Sequence, residues 1–467
     1  MSGRTVVRGG LVVTAAEETH ADVLVEDGRI AALAASGTAA AEAFTAERTI
    51  DATGRYVLPG GVDGHTHMEM PFGGTRSADT FETGTRAAAW GGTTTVVDFA
   101  VQSVGRSLRE GLDAWHAKAE GKCAIDYGFH MIVSDVRPGT LREMDRLVEE
   151  GVTSFKQFMA YPGVLYSDDG QILRAMQRAA GNGGLIMMHA ENGIAIDVLA
   201  EQALARGETA PRHHGEVRKA LLEAEATHRA IQLARVAGAP LYVVHVSARE
   251  AVAELVAARD LGLPVFGETC PQYLFLSTDD LARPDFEGAK YVCSTPLRPR
   301  EHQAALWRGL RTNDLQVVST DHCPFCFAGQ KELGRGDFTR IPNGLPGVEN
   351  RMDLLHQAVV EGHLSRRRWI EIACATPARM FGLYPRKGTI APGSDADLVV
   401  YDPHTTQVLS AATHHMDVDY SAYEGRTVTG QVETVLSRGE PVVERREYVG
   451  RAGHGVFLPR STCQYLN

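Results

Sequence analysis

The chain has 467 residues, with 47 Lys and Arg against 58 Asp and Glu, a formal net charge of −11. That acidic balance sets aside a nucleic-acid grip, which wants a basic face, and no apolar run is long enough to span a bilayer. The length allows one large domain or two to three smaller ones, with ample core.

The N-terminus carries no long apolar h-region and no small-residue cleavage site. Seven cysteines without such a signal read as reduced thiols, so a cytoplasmic location is expected. Residues 1–57 read as short β-rich pieces broken by Gly. From 58 to 384, apolar runs alternate with helical stretches. The runs fall at 57–67, 93–100, 124–133, 153–161, 184–191, 240–247, 264–272 and 315–322. Between them, 80–92, 107–121, 140–151 and 169–184 each end near Gly, an ordinary helix stop. Apolar runs alternating with helices mean parallel strands covered on both faces. Eight of them fit a (β/α)8 barrel better than an open doubly wound sheet. After 385 the pattern is β-rich again. The expected fold is α/β: a TIM-like barrel over 58–384, and a small β-sandwich built from 1–57 and 385–467. The polar tail 451–467 either packs on a neighbouring subunit or is loose.

The polar residues carry the chemistry. His65 and His67 form H-x-H at the end of the first run, and alternation along a strand points both rings one way. Alone the motif is weak, because chance matches are common among 18 histidines. Position strengthens it. His189, His245 and Asp321 end the fifth, sixth and eighth runs, and the C-terminal strand ends of a barrel converge on one mouth. The adjacent pairs His213–His214 and His414–His415 read as surface, since neighbouring strand positions face opposite ways.

Lys156 lies inside TSFKQFMAY, where burial drives an ammonium towards the neutral amine. Such an amine can take up CO2 as a carbamate, giving an N6-carboxylysine that bridges two divalent ions. The rival reading is a lysine reaching a buried carboxylate. Zinc suits the donor set, with manganese or cobalt as substitutes. Bound ions acidify water, and Asp321 can pass its proton to a leaving nitrogen. Tyr161, five residues past Lys156, is either an oxyanion donor or a packing aromatic. Cys323 and Cys326 form a C-x-x-C with no second copy, so they line the pocket or are inert.

The stretches GGVDGHTHMEMPFGGT, SFKQFMAYPG, MMHAENG, GETCPQYL, STDHCPF and IPNGLPGVE make the chain resemble the cyclic amidohydrolases, most closely the dihydropyrimidinase and D-hydantoinase group, over nearly its whole length. The resemblance implies two metal ions bridged by carboxylated Lys156. His65, His67 and Asp321 are then ligands of the more buried ion, and His189 and His245 of the more exposed one. It implies Tyr161 as the oxyanion donor and Ser294 and Asn343 as holders of the cyclic amide. Met70, Phe72, Phe158 and Leu165 become contacts of the ring substituent. A small cyclic amide substrate and a homo-oligomer, tetramer or dimer, are also implied. Thr295 stands where the family often has Pro, and Cys326 is outside its pattern. Glu69 occupies the place where dihydroorotase-like chains carry Arg, which favours a neutral ring. An allantoinase-type hydrolase and a non-catalytic scaffold relative are the alternatives.

Overall fold

The first of the eight apolar runs serves two sheets. In the computed structural model, which describes residues 3–466, Tyr56–Pro59 pairs antiparallel with Leu398–Val408 in a sheet drawn from both chain ends. The chain turns at Gly60, and Gly61–Thr66 (β1) begins the barrel. A Cβ on Gly60 would lie 2.0 Å from Thr94 Oγ1, so only glycine lets the two runs approach this closely.

The barrel continues through β2 (Thr93–Val101), β3 (Asp126–Ile132), β4 (Ser154–Phe158), β5 (Leu185–His189), β6 (Leu241–Val243), β7 (Val265–Thr269) and β8 (Val317–Val318). Neighbours pair in sequence order, all parallel. Nearly every strand position is buried, because helices cover the outer face. The eighth run is regular over two residues only.

The barrel therefore closes through side chains. Beyond one isolated bridge between Thr66 and His322, Asp63 of β1 accepts from Thr320 N at 3.1 Å and Thr320 Oγ1 at 2.6 Å. Arg351, fully buried, donates Nη1 to Val62 O at 2.9 Å, Val318 O at 3.1 Å and Ala373 O at 3.3 Å. One guanidinium thus spans the seam between β1 and β8.

The second sheet runs in the order Glu447–Tyr448, Glu440–Glu444, Thr427–Ser437, Leu398–Val408, Tyr56–Pro59, Leu11–Val13, Glu18–Glu26, Thr5–Arg8, Arg48–Asp51, with Arg29–Ala35 paired to Glu18–Glu26. Val7, Val12, Val23, Val57, Leu398 and Val400 share one apolar core between its two halves.

The C-terminal tail is neither loose nor free of the barrel. Leu458 N donates to Tyr127 O at 2.8 Å. Arg460 is buried under the barrel, donating to Phe129 O at 2.6 Å and Ser154 Oγ at 2.8 Å. Burial pushes its guanidinium down to about 9. His213 and His214, expected on the surface, are buried. They lie on the helix Arg212–Val217, not a strand, and His214 Nε2 bonds Cys293 O at 2.8 Å. His415 is half-buried and stacks on Trp90 with ring centroids 3.9 Å apart.

Arg351→Met would strand three buried carbonyls along the seam. Its urea midpoint is expected to fall by the equivalent of about 3 kcal/mol. An unchanged midpoint would show that the seam closes without the guanidinium.

Candidate metal centre and substrate pocket

At the C-terminal end of the barrel, β1 places His65 and His67 on one face, as the period of two requires. Their Nε2 atoms stand 3.2 Å apart. Asp321 Oδ1 lies 3.1 Å from the first and 3.3 Å from the second. Lys156 Nζ, on β4, lies 2.9 Å from His65 Nε2. His245 and His189 complete the ring of donors, with imidazole centroids 4.6 Å apart, and His245 lies 5.5 Å from His65.

His245 and Asp321 differ from expectation in one respect. Neither belongs to a regular strand. Each follows its strand with φ of 41° and 51°, and Tyr161 has φ of 63°. Left-handed residues of this kind are costly outside glycine and cluster where a side chain must be re-aimed.

The electrostatics ask for a cation. Burial and the Lys156 charge press His65 down, but the Glu268 and Asp321 carboxylates outweigh them and raise it. Asp321 is held well below the usual carboxylate range by His65, His67 and His245, against its burial. His67 is pushed down to about 3 by burial, and burial holds His245 well below its usual value. The ligand atoms of His65, His67 and Asp321 lie within 4.8 Å of one another, an arrangement around a held carboxylate that positive charge satisfies. Lys156 is pushed down to about 8 by burial. Among the described residues no carboxylate comes within ion-pair distance of its Nζ, which instead sits over the rings of Phe99 and Phe158. The His65, His67 and Asp321 donors thus fit a metal ion.

The supporting residues were not singled out from the sequence. Glu268, wholly buried on β7, accepts from His65 Nδ1 and so leaves Nε2 facing the site. It also accepts from Tyr242 Oη at 2.8 Å, Ser319 Oγ at 2.6 Å and His245 N at 3.2 Å. Glu191 Oε2 accepts from His189 Nε2 and Arg218 Nη1, each at 2.7 Å. Asp98 accepts from Thr66 Oγ1 and Met68 N, both at 2.8 Å, on either side of His67. The available signal was an acid inside an apolar run, as in PVFGETC and VVDFA.

Above the donors lies a pocket lined by Met70, Phe72, Phe158, Leu165, Tyr161, Ser294 and Asn343, with Cys323 at its side. Every residue expected in the site lines it except His65, which is buried behind His67. Cys326 stands outside. Burial pushes the Tyr161 phenol up to about 12, so it remains a donor. Asn343 Nδ2 donates to Ser294 Oγ at 3.1 Å and to Tyr161 Oη at 3.4 Å. Among the hydrogen bonds of the described residues, none uses the main-chain N–H or C=O of Ser294 or Asn343. The carbonyls of the neighbouring Cys293 and Thr295 are engaged by His214 and Tyr273.

The model of the amidohydrolase family matches residues 56–442. A D-hydantoinase of Streptomyces coelicolor is 86% identical over 466 residues, covering 100% of each chain. The crystal structure of a dihydropyrimidinase from Brevibacillus agri superposes with a TM-score of 0.96 at 50% identity, covering 98% of this chain and 99% of that one. An L-hydantoinase from Arthrobacter aurescens superposes with a TM-score of 0.88 at 31% identity, covering 98% and 100%.

Glu268→Gln keeps the shape but removes the charge that orients His65. Retention of metal during dialysis against a chelator is expected to weaken by about 10–100-fold, with the circular dichroism unchanged. Wild-type retention would remove Glu268 from the metal centre.

Proposed function

The chain belongs to the amidohydrolase family, in its hydantoinase and dihydropyrimidinase branch, and on that footing we propose that it opens the ring amide of dihydropyrimidines or 5-substituted hydantoins to N-carbamoyl amino acids. The observation that carries this reading is the pair of open peptides at Ser294 and Asn343, set in the same pocket as the His, Asp and Lys donors. A cyclic imide presents alternating C=O and N–H groups that free main-chain groups can satisfy. Glu69, Met70 and Phe72 supply no cation for a substrate carboxylate, so the ring is neutral and its substituent apolar.

His65, His67 and Asp321 would hold one divalent ion and His189 and His245 a second, and Lys156, as a carbamate, would add an anionic ligand. Zinc suits these nitrogen and oxygen donors. Such ions supply acidification of water and polarisation of the carbonyl. The Asp321 carboxylate takes the proton of the attacking water and delivers it to the ring nitrogen as the C–N bond breaks. Tyr161 Oη donates to the carbonyl oxygen as it gains negative charge, and its high pKa keeps the proton in place. Phe72, Phe158, Met70 and Leu165 exclude water and hold the substituent. The D-hydantoinase relatives support a preference for D enantiomers. A cytoplasmic homotetramer or dimer completes the proposal.

A spectrophotometric panel of dihydrouracil, D- and L-5-phenylhydantoin and allantoin tests it. Ring opening of dihydrouracil and D-phenylhydantoin is expected. Turnover of allantoin alone would replace the reading with an allantoinase. Asp321→Asn is expected to lower kcat by about 10²–10⁴-fold, and near-normal turnover would refute the proton role. Lys156→Ala should lose metal and activity together, with partial rescue by short carboxylates. Full metal occupancy in that variant would sink the bridge.

A further inference from the structure

Lys331 lies on a short 3-10 turn, Lys331–Gly334, and its side chain is wholly buried. Its Nζ donates to three carbonyls: Val292 O at 2.8 Å, Pro342 O at 2.7 Å and Gly344 O at 2.8 Å. Three acceptors use all three ammonium protons. Among the described residues no carboxylate pairs with it. A buried ammonium with only neutral partners is costly, and burial pushes this one down to about 7.

What it holds is specific. Val292 lies two residues before Ser294, and Pro342 and Gly344 flank Asn343. The tripod thus draws the two substrate loops onto one point. Gly344 N reinforces it by donating to Val292 O at 3.0 Å. Gly344 has a φ of 152°, and a Cβ there would lie 2.2 Å from Cys323 O, so the loop cannot be packed this way by another residue. With the flanking carbonyls turned to Lys331, the peptides left free are those of Ser294 and Asn343.

We infer that Lys331 is a positioning residue, which fixes the spacing between the Ser294 and Asn343 peptides that grip the cyclic amide. This rests on the ring-opening reading above. It separates substrate grip from chemistry, because Lys331 does not itself line the pocket, reaching it only through Gly344, and bonds none of the six metal-ligand candidates.

The test compares Lys331→Met and Lys331→Gln with the wild-type holoenzyme, following KM, kcat, metal content and thermal midpoint. In Lys331→Met, KM for dihydrouracil is expected to rise by about tenfold or more, the loss of roughly one good hydrogen bond's geometry. Metal content should match wild type and kcat should change far less. Lys331→Gln, with two donors, should fall between the two. Unchanged KM, a loss confined to kcat, or loss of metal would overturn the inference. Failure of both variants to fold would make Lys331 a core residue only and would overturn it too. A wild-type enzyme that opens none of the rings would instead sink the functional reading, so the two failures are distinguishable.

Discussion

A carboxylate with no access to water sits at the centre of this molecule. Glu268 on β7 takes hydrogen bonds from His65 on β1, Tyr242 on β6, Ser319 beyond β8 and the main chain of His245. A buried charge is tolerable only when fully hydrogen-bonded. The folded barrel alone supplies those four donors, so the charge depends on barrel closure for its partners. One consequence is local: His65 is fixed as a donor through Nδ1, which turns Nε2 towards His67, Asp321 and Lys156. The other is global, because the groups that bond Glu268 come from both sides of the seam that Arg351 and Asp63 also span.

The pocket is organised in the same manner at a second centre. The donors of the metal site are held from below by carboxylates, Glu268, Glu191 and Asp98. The loops above are held by side-chain donors that occupy carbonyls: the Lys331 amine, the His214 imidazole and the Tyr273 hydroxyl. Fixed partners from below set ligand geometry, and fixed partners from above leave a few main-chain groups free. An enzyme that must separate a neutral ring from water needs both, because neither burial nor charge alone specifies where hydrogen bonds remain open.

Much of this was legible before any coordinates. The alternation of apolar runs and helices announced eight parallel strands, and the H-x-H, the strand-end histidines and the lysine in an apolar run marked one mouth. The chemistry of those residues is unusual for their positions, which is why they stand out. The supporting groups do not. Glu191 acquires meaning only beside Arg218, Glu268 only beside His65 some two hundred residues away, and Lys331 only once two loops converge on it. His213 and His214 misled for a related reason: the alternation argument presumed a strand, and the segment is a helix packed on the Cys293 loop. The tail likewise reads as a polar segment, loose or packed on a neighbouring subunit, until Arg460 is seen bonded to β3 and β4.

By itself, then, the sequence determined the class of fold, the inventory of donors and the resemblance to a family of ring-opening hydrolases. These follow from local periodicity and from residue types whose chemistry is rare in apolar strands. The tertiary structure alone decided which nitrogen of His65 faces the site, which peptides stay free to hold a substrate, and how a barrel with a two-residue eighth strand closes. Each of those outcomes depends on pairing groups far apart in the chain, and no local pattern records which buried charge will find which partner.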